Sequence, residues 1–363
     1  MKITAAVLRG ARSPFSIEEL ELGDARPDEI VVRMVAAGMC HTDLLAREAA
    51  EFFPGPQVYG HEGAGVVEAV GGAVGDIAVG DHVVLSFNAC GSCPACAKSR
   101  RPYCFNFWAF NMSGGRSDGT SSFRDARGER VGSHYFGQSS FASRSVVARD
   151  SVVKVDRTYD LERLGPLGCG VQTGAGTVLN TLGVERGASL VVAGAGALGL
   201  SAIMAAKIAG AGVIVAIDRH ASRLQLASRY GATHTLRVEP AKLAAAILEL
   251  VPGGADYAFD TTGNAAVVRA LYEGLNNLGT LALAGVGFGD ATFPFQSMIS
   301  GRTIKGVIEG DSVPRTFIPE LARLNAEGRF PFHELITKFP LKEINAAEAA
   351  SASGVVIKPV LIF

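Results

Sequence analysis

An excess of charge of one sign is missing from this sequence. Lysine and arginine total 34, and aspartate and glutamate 35, for a formal net charge of −1 over 363 residues. Without such an excess the chain has no general attraction for nucleic acid or anionic lipid. The first residues, MKITAAVLRG, continue into charged sequence and lack the apolar core of a secretory signal, so no secretory leader is expected. Long apolar runs are scarce. The strongest, Leu198 to Val215, has the length of a membrane span, but its glycines and Lys207 read as a buried helix followed by a buried strand. Repeats and low-complexity tracts are absent from the sequence. The expectation is a soluble, cytoplasmic protein with neither a membrane nor a nucleic-acid partner. What is present is a globular composition, 48% hydrophobic and 19% charged, on a chain too long for one ordinary core, so two domains are expected.

The texture of the chain divides accordingly. Up to about residue 150 it is β-rich, with short apolar runs at Ile30–Val35, Gly65–Val70 and Asp81–Leu85 punctuated by glycine, proline and aspartate. The polar, glycine-rich stretch Ser113–Gly132 reads as an excursion containing a hairpin. From about residue 170 strands and helices alternate. Strands are expected at Ser189–Val192, Val213–Ile217, Tyr257–Asp260, Thr280–Ala284 and Thr303–Ile308, and helices at Leu198–Ile208 and Ser222–Tyr230. Such alternation implies right-handed crossovers and a parallel sheet. The chain then ends in a mixed segment with a strand at Val355–Ile362. The expected division is 1–169, 170–308, and a segment 309–363 that returns to the first domain.

The six cysteines carry chemistry. Cys90, Cys93, Cys96 and Cys104 form C-x2-C-x2-C-x7-C around the turn formers Gly91 and Pro94. Four thiolates so spaced suit a closed tetrahedral zinc, which is structural because no coordination position is left for substrate. An iron–sulfur cluster, disulfides or an incidental exposed cluster are the competing readings. Cys40 lies in Gly38-Met39-Cys40-His41-Thr42-Asp43, and Cys169 in Gly168-Cys169-Gly170-Val171-Gln172-Thr173. Gly60-His61-Glu62-Gly63-Ala64-Gly65 lies between them. Two thiolates and an imidazole would leave a zinc one open position, as catalysis requires. Taken singly, each of these residues has an ordinary reading as a small buried thiol or a core or surface histidine.

Val191-Val192-Ala193-Gly194-Ala195-Gly196-Ala197-Leu198-Gly199 follows a buried strand and opens a helix. Gly194, Gly196 and Gly199 have the spacing of a dinucleotide-binding turn, in which the helix N-terminus faces pyrophosphate. Asp218 ends the next strand, at about the interval of 20 residues where a carboxylate accepts the ribose hydroxyls and disfavours a 2′-phosphate. NAD is therefore expected rather than NADP, although Arg219 and Arg223 lie nearby.

Together these five motifs, in this order and over essentially the whole chain, resemble the zinc-containing medium-chain alcohol dehydrogenase family. Phe136-Gly137-Gln138-Ser139-Ser140-Phe141 and Leu164 to Gly170 look most like its bacterial aryl-alcohol (benzyl alcohol) branch. The resemblance implies an α/β protein with a GroES-like β-rich catalytic domain and a Rossmann doubly wound parallel-sheet domain, its active site in the cleft between them. Two zinc ions per subunit and NAD are implied. Cys40, His61 and Cys169 would hold the catalytic zinc, and Cys90, Cys93, Cys96 and Cys104 the structural one. Asp43 would orient the histidine ligand, Glu62 would approach the metal during ligand exchange, and Thr42 would take the proton of the alcohol before hydride passes to the nicotinamide. His41, Thr173, Gly194, Gly196, Leu198, Gly199, Asp218, Arg223 and Lys358 match cofactor-binding positions, Lys358 as a phosphate-binding cation. Phe87, Trp108, Tyr135 and Val286 match the substrate channel; their ordinary reading is core packing.

The sequence departs from the family pattern at two of these positions. Leu45 stands where some members end a proton relay with histidine. His41 stands where many have a pyrophosphate-binding arginine, which would loosen the cofactor and speed its release. A benzyl-type alcohol is the expected substrate, with a geraniol-type allylic alcohol as the alternative. A glutathione adduct of formaldehyde is disfavoured because Trp108 replaces the arginine that reads the glutathione carboxylate. A non-catalytic nucleotide-binding role is disfavoured by the retained ligands and Thr42. Dimers or tetramers would form through the edge strand Thr303–Ile308.

Overall fold

The computed structural model describes residues 1–48, 55–287 and 289–363. Eighteen strands are found among them. They are β1 (Lys2–Leu8), β2 (Ser16–Leu22), β3 (Glu29–Gly38), β4 (Gln57–Val58), β5 (Gly63–Val70), β6 (His82–Leu85), β7 (Phe123–Arg124), β8 (Arg130–Val131), β9 (Arg144–Ala148), β10 (Val152–Val155), β11 (Ser189–Ala193), β12 (Val213–Ile217), β13 (His234–Leu236), β14 (Ala255–Asp260), β15 (Leu275–Leu283), β16 (Thr303–Gly306), β17 (Ile336–Pro340) and β18 (Lys358–Ile362).

The chain forms two compact units. The first comprises Met1–Cys169, Val313–Glu327 and Phe332–Phe363. One of its sheets runs β4-β1-β2-β7-β8; the other runs β10-β6-β5-β3-β18-β17, with β9 also on β3. In the second sheet β3 is the hinge of the design. It is buried at nearly every position, and its length lets its first half pair with β9 and its last residues with β18. Ile30, Val32, Met34, Val67, Val83, Leu85, Val147 and Val152 pack into one core on this sheet. The polar excursion does contain a hairpin, in which Phe123 pairs with Val131. Short helices at His41–Glu48 and Phe107–Met112 interrupt the β-rich pattern.

The second unit, Gly170–Ser312 with Gly328–Pro331, holds a six-stranded parallel sheet in the order β13-β12-β11-β14-β15-β16. β11 is buried on both faces, as a strand covered by helices on each side must be. This unit extends past residue 308 because the Glu309–Asp311 turn is held by the helix Gly170–Gly176: Gln172 Nε2 donates to Glu309 at 2.9 Å. The final strand begins at Lys358, not at Val355, which is fully solvated at 83% exposure. Among the described residues no helix is long and apolar enough to cross a membrane.

Candidate active site

The glycine turn lies between β11 and the helix Ala197–Ala209. Gly194 has φ +91°, and a Cβ on it would meet Thr261 Oγ1 at 2.2 Å; a Cβ on Gly199 would sit 1.7 Å from the Gly194 carbonyl oxygen. Both positions therefore exclude side chains. Gly196 faces open space, and Gly196 and Leu198 are half-buried at the mouth of the turn. The Asp218 carboxylate accepts from Ala195 N and His220 N, each at 2.8 Å, with Arg223 Nη1 3.9 Å away. An acid and a cation thus stand together beside the turn. Thr261, which donates to the Ala193 carbonyl at 2.8 Å, was not anticipated; a threonine in a loop carries no signal in sequence until the tertiary fold places it.

In the first unit Cys90, Cys93, Cys96 and Cys104 converge with all four sulfurs within 4.8 Å of one another. The Cys90–Cys96 and Cys90–Cys104 sulfur separations are 3.9 and 3.5 Å. Tetrahedral zinc with Zn–S near 2.3 Å places its sulfurs about 3.8 Å apart. A disulfide needs about 2.05 Å. An iron–sulfur cluster needs room for several atoms between its thiolates, and sulfurs this close leave none. The donors therefore fit one zinc. Amide hydrogens of Ser92 and Cys93 draw the Cys90 thiol down to about 6, while burial pushes Cys96 up to about 12.

The second cluster joins Cys40, His61, Glu62 and Cys169, with ligand atoms again within 4.8 Å of one another. Cys40 lies just before the helix His41–Glu48, His61 just before β5, and Cys169 just before the helix Gly170–Gly176. His61 Nδ1 donates to Asp43 Oδ1 at 2.8 Å, and Asp43 also accepts from Cys40 N (2.9 Å) and Gly60 N (3.1 Å). The fully buried Asp43 thereby sets the histidine tautomer and leaves Nε2 as the lone-pair nitrogen. Nε2 is itself buried without a hydrogen-bond partner, as a metal-ligating nitrogen would be. A hydrogen bond from Cys169 holds the Cys40 thiol well below its ordinary range; burial opposes this and His61 assists. Burial alone would lower the His61 pKa, but the Asp43 charge and hydrogen bond outweigh it and raise it. Thr42 Oγ1 lies 3.7 Å from the Cys40 sulfur, and the Tyr135 hydroxyl donates to the Thr42 carbonyl at 3.3 Å.

The remaining positions fall in different settings. Phe136 stacks on the His61 imidazole (centroids 4.5 Å apart, 25°), and Tyr135 meets it edge-on at 5.7 Å. Phe87 is buried against Phe107. Trp108 and Val286, by contrast, are 66% and 58% exposed. His41 is exposed, Leu45 half-buried and Thr173 buried. Lys358 has closer partners than the expected phosphate. Its ammonium is buried, donates to the Met39 carbonyl at 3.0 Å, and lies 2.7 and 2.6 Å from the two Glu62 oxygens. β18 runs beside the end of β3, which brings Lys358 to this cluster, and a lone buried cation there needs the carboxylate.

Comparison with known proteins agrees with this geometry. Residues 26–157 match the alcohol dehydrogenase GroES-like domain, and residues 197–326 match the zinc-binding dehydrogenase domain. A geraniol dehydrogenase of Castellaniella defragrans is 39% identical, over 99% of this chain and 97% of its own. A solved alcohol dehydrogenase zinc-binding domain protein from Burkholderia ambifaria superposes with a TM-score of 0.97 at 48% identity, covering 100% of this chain and 99% of its own. The benzyl alcohol dehydrogenase of Acinetobacter calcoaceticus superposes with a TM-score of 0.95 at 41% identity, with the same coverage. A metal site of thiolates and imidazole and a dinucleotide turn thus occur on one chain, and the chain belongs to the zinc-containing medium-chain alcohol dehydrogenase family. It is a zinc-dependent alcohol dehydrogenase with a Rossmann domain for NAD and a cysteine cluster suited to structural zinc.

Proposed function

We propose that the enzyme oxidises primary aromatic, benzyl-type alcohols to aldehydes, reversibly, with hydride transfer to NAD. The observation that carries this reading is the buried aromatic wall of Phe87, Phe107, Tyr135 and Phe136 around His61. A flat apolar ring is well matched to such a wall. The likeness to a benzyl alcohol dehydrogenase supports the same substrate class. The likeness to a geraniol dehydrogenase favours a second reading, an allylic terpenoid alcohol.

In this reading Cys40, His61 and Cys169 hold the catalytic metal, and Asp43 holds His61 in the ligating tautomer. Zinc held by these residues would supply Lewis acidity toward the alcohol, and bound NAD would supply the hydride acceptor. Thr42 receives the hydroxyl proton, which leaves through water because Leu45 provides no relay group. Glu62 with Lys358 provides a buried charge pair beside the ligands. His41, Thr173, Gly194, Gly196, Leu198 and Gly199 receive the cofactor, Arg223 supplies cationic charge to it, and Asp218 accepts the ribose hydroxyls, while Lys358 is engaged by Glu62 and is not free for a phosphate. Phe87, Tyr135, Trp108 and Val286 contact the substrate. The test is NAD-dependent kcat/KM for benzyl alcohol, geraniol and ethanol on zinc-replete protein. Benzyl alcohol is expected to lead. A clear lead for geraniol or ethanol overturns the substrate assignment and leaves the zinc chemistry intact.

We also propose a homo-oligomer formed through β16. This strand ends its sheet, and the exposed Leu278, Phe295, Met298 and Ile299 lie on the segments next to it. An apolar rim around the last strand of a sheet suits a second copy of the same surface.

A further inference from the structure

The loop His134–Ser139 is unusually strained. His134, Phe136 and Ser139 adopt left-handed φ angles of 59°, 52° and 54°, and Gly137 one of 70°. Non-glycine residues avoid this region, and a cluster of them persists only where the surroundings over-determine it. The gain is placement. The loop lays Phe136 on the His61 ring and turns Gln138 inward, where it is fully buried.

Gln138 meets three backbone groups. Its Oε1 accepts from Gly63 N at 3.0 Å, and its Nε2 donates to the carbonyls of His61 (2.9 Å) and Ser86 (3.1 Å). The amide orientation is dictated by these partners, since an N–H can only donate and a carbonyl can only accept. Ser86 continues the chain of bonds: its hydroxyl donates at 2.7 Å to the carbonyl of Gly168, the residue before Cys169. One amide therefore brackets the His61-Glu62-Gly63 turn on both sides and, through Ser86, reaches the segment that presents Cys169.

We infer that Gln138 is a positioning residue of the catalytic metal site, tying the His61 and Cys169 segments together through one buried amide. The inference rests on reading Cys40, His61 and Cys169 as zinc ligands. Aspartate 43 orients the imidazole from the side chain; Gln138 fixes the backbone from which that imidazole hangs. No other uncharged side chain of this length offers one acceptor and two donors, and a shorter amide could not reach all three groups. Groups that orient metal ligands commonly change metal affinity or activity by about 10–100-fold when lost.

The test uses zinc-replete enzyme and three variants. Gln138→Met keeps length and burial without hydrogen bonds. Gln138→Glu keeps the acceptor for Gly63 but turns a carboxylate on two carbonyls. Ser86→Ala removes the hydroxyl that donates to Gly168 and leaves the Ser86 backbone carbonyl that Gln138 uses. Two quantities are read: the time course of zinc release to a chelator, and the visible ligand-field spectrum after cobalt is exchanged into the catalytic site. Both Gln138 variants are expected to release catalytic-site zinc about tenfold faster or more, to shift the cobalt spectrum and to lower kcat. The zinc of the four-cysteine loop should be unaffected. Ser86→Ala should show a smaller effect, absent when added to Gln138→Met. Wild-type zinc release and cobalt spectrum in Gln138→Met overturn the inference, whatever its melting temperature. If neither Gln138 variant folds, unchanged release in Ser86→Ala overturns the link to Cys169. A wild-type enzyme that binds only one zinc, with no cobalt spectrum beyond the cysteine loop, removes the zinc-ligand reading itself and this inference with it.

Discussion

Glu29 shows how much a single residue does in this protein away from its chemistry. At the start of β3 its carboxylate takes Arg116 in a fork at 2.6 and 2.8 Å, His134 at 3.1 Å and the Arg26 amide at 2.8 Å. Burial pushes its carboxyl up, but the bonds from Arg116, His134 and Arg26 override burial and hold it at about 2, against an ordinary 4.5. A carboxyl depressed on folding stabilises above its unfolded pKa, and that stability fades as pH falls from about 4.5 through about 2. Glu29→Gln should therefore melt several degrees below wild type at pH 7, a loss of about 3 kcal/mol. The gap between the two proteins should begin to narrow below about pH 4.5 and close as pH falls through about 2. A gap independent of pH would mean that packing, not charge, is what the residue supplies. His41 belongs to the same scale. If an imidazole holds the cofactor less tightly than a guanidinium, His41→Arg should slow NADH dissociation in stopped-flow fluorescence; an unchanged rate would assign release to another step.

At the scale of elements, the four-cysteine loop and the strands around it are organised differently. The loop has few apolar residues and two very short helices, Pro94–Ala97 and Arg101–Tyr103, so its shape is expected to depend on a zinc held by its four sulfurs. Asp150 bridges its Arg101 (3.0 Å) to Arg315 (2.8 Å) and anchors one side. Cys104→Ser should lose one zinc per subunit and expose the loop to proteolysis between residues 90 and 110, with mass spectrometry locating the cuts. Catalytic-site zinc, held by other elements, should remain. An uncut loop in the zinc-depleted variant would show that Asp150 and local packing suffice. The parallel strands need no such staple: β11, β12 and β14 share one core with Leu243, Ile247, Leu271 and Tyr272.

At the scale of the whole molecule, the exposed side chains beside β16 are too apolar to leave solvated at no cost. Phe295→Asp combined with Ile299→Asp should lower the sedimentation coefficient towards that of a 37.8 kDa monomer. An unchanged coefficient would place the subunit contact on another surface. The chain leaves its second unit at Ser312, rejoins it for Gly328–Pro331 and contributes β17 and β18 to the first, so the unit that holds the Cys40, His61 and Cys169 cluster is completed only by the C-terminal residues.

Some of this is encoded within short segments of the chain. The glycine turn is legible because Gly194 and Gly199 are required by backbone geometry within a few residues. The four-cysteine loop is legible because its ligands lie within one short segment, and the central strands β11 and β12 because burial on two faces demands unbroken apolar runs; β13, short and largely exposed, carries no such signal. The tertiary structure decided what depends on distant residues. Cys40, His61 and Cys169 became one cluster only when their three segments converged. Lys358 found Glu62 only through the pairing of β18 with β3. Gln138 lies in the Phe136–Phe141 segment that carries the family likeness, but its role became visible only in the fold, because hydrogen bonds to backbone leave no trace in the identities of the residues that accept them.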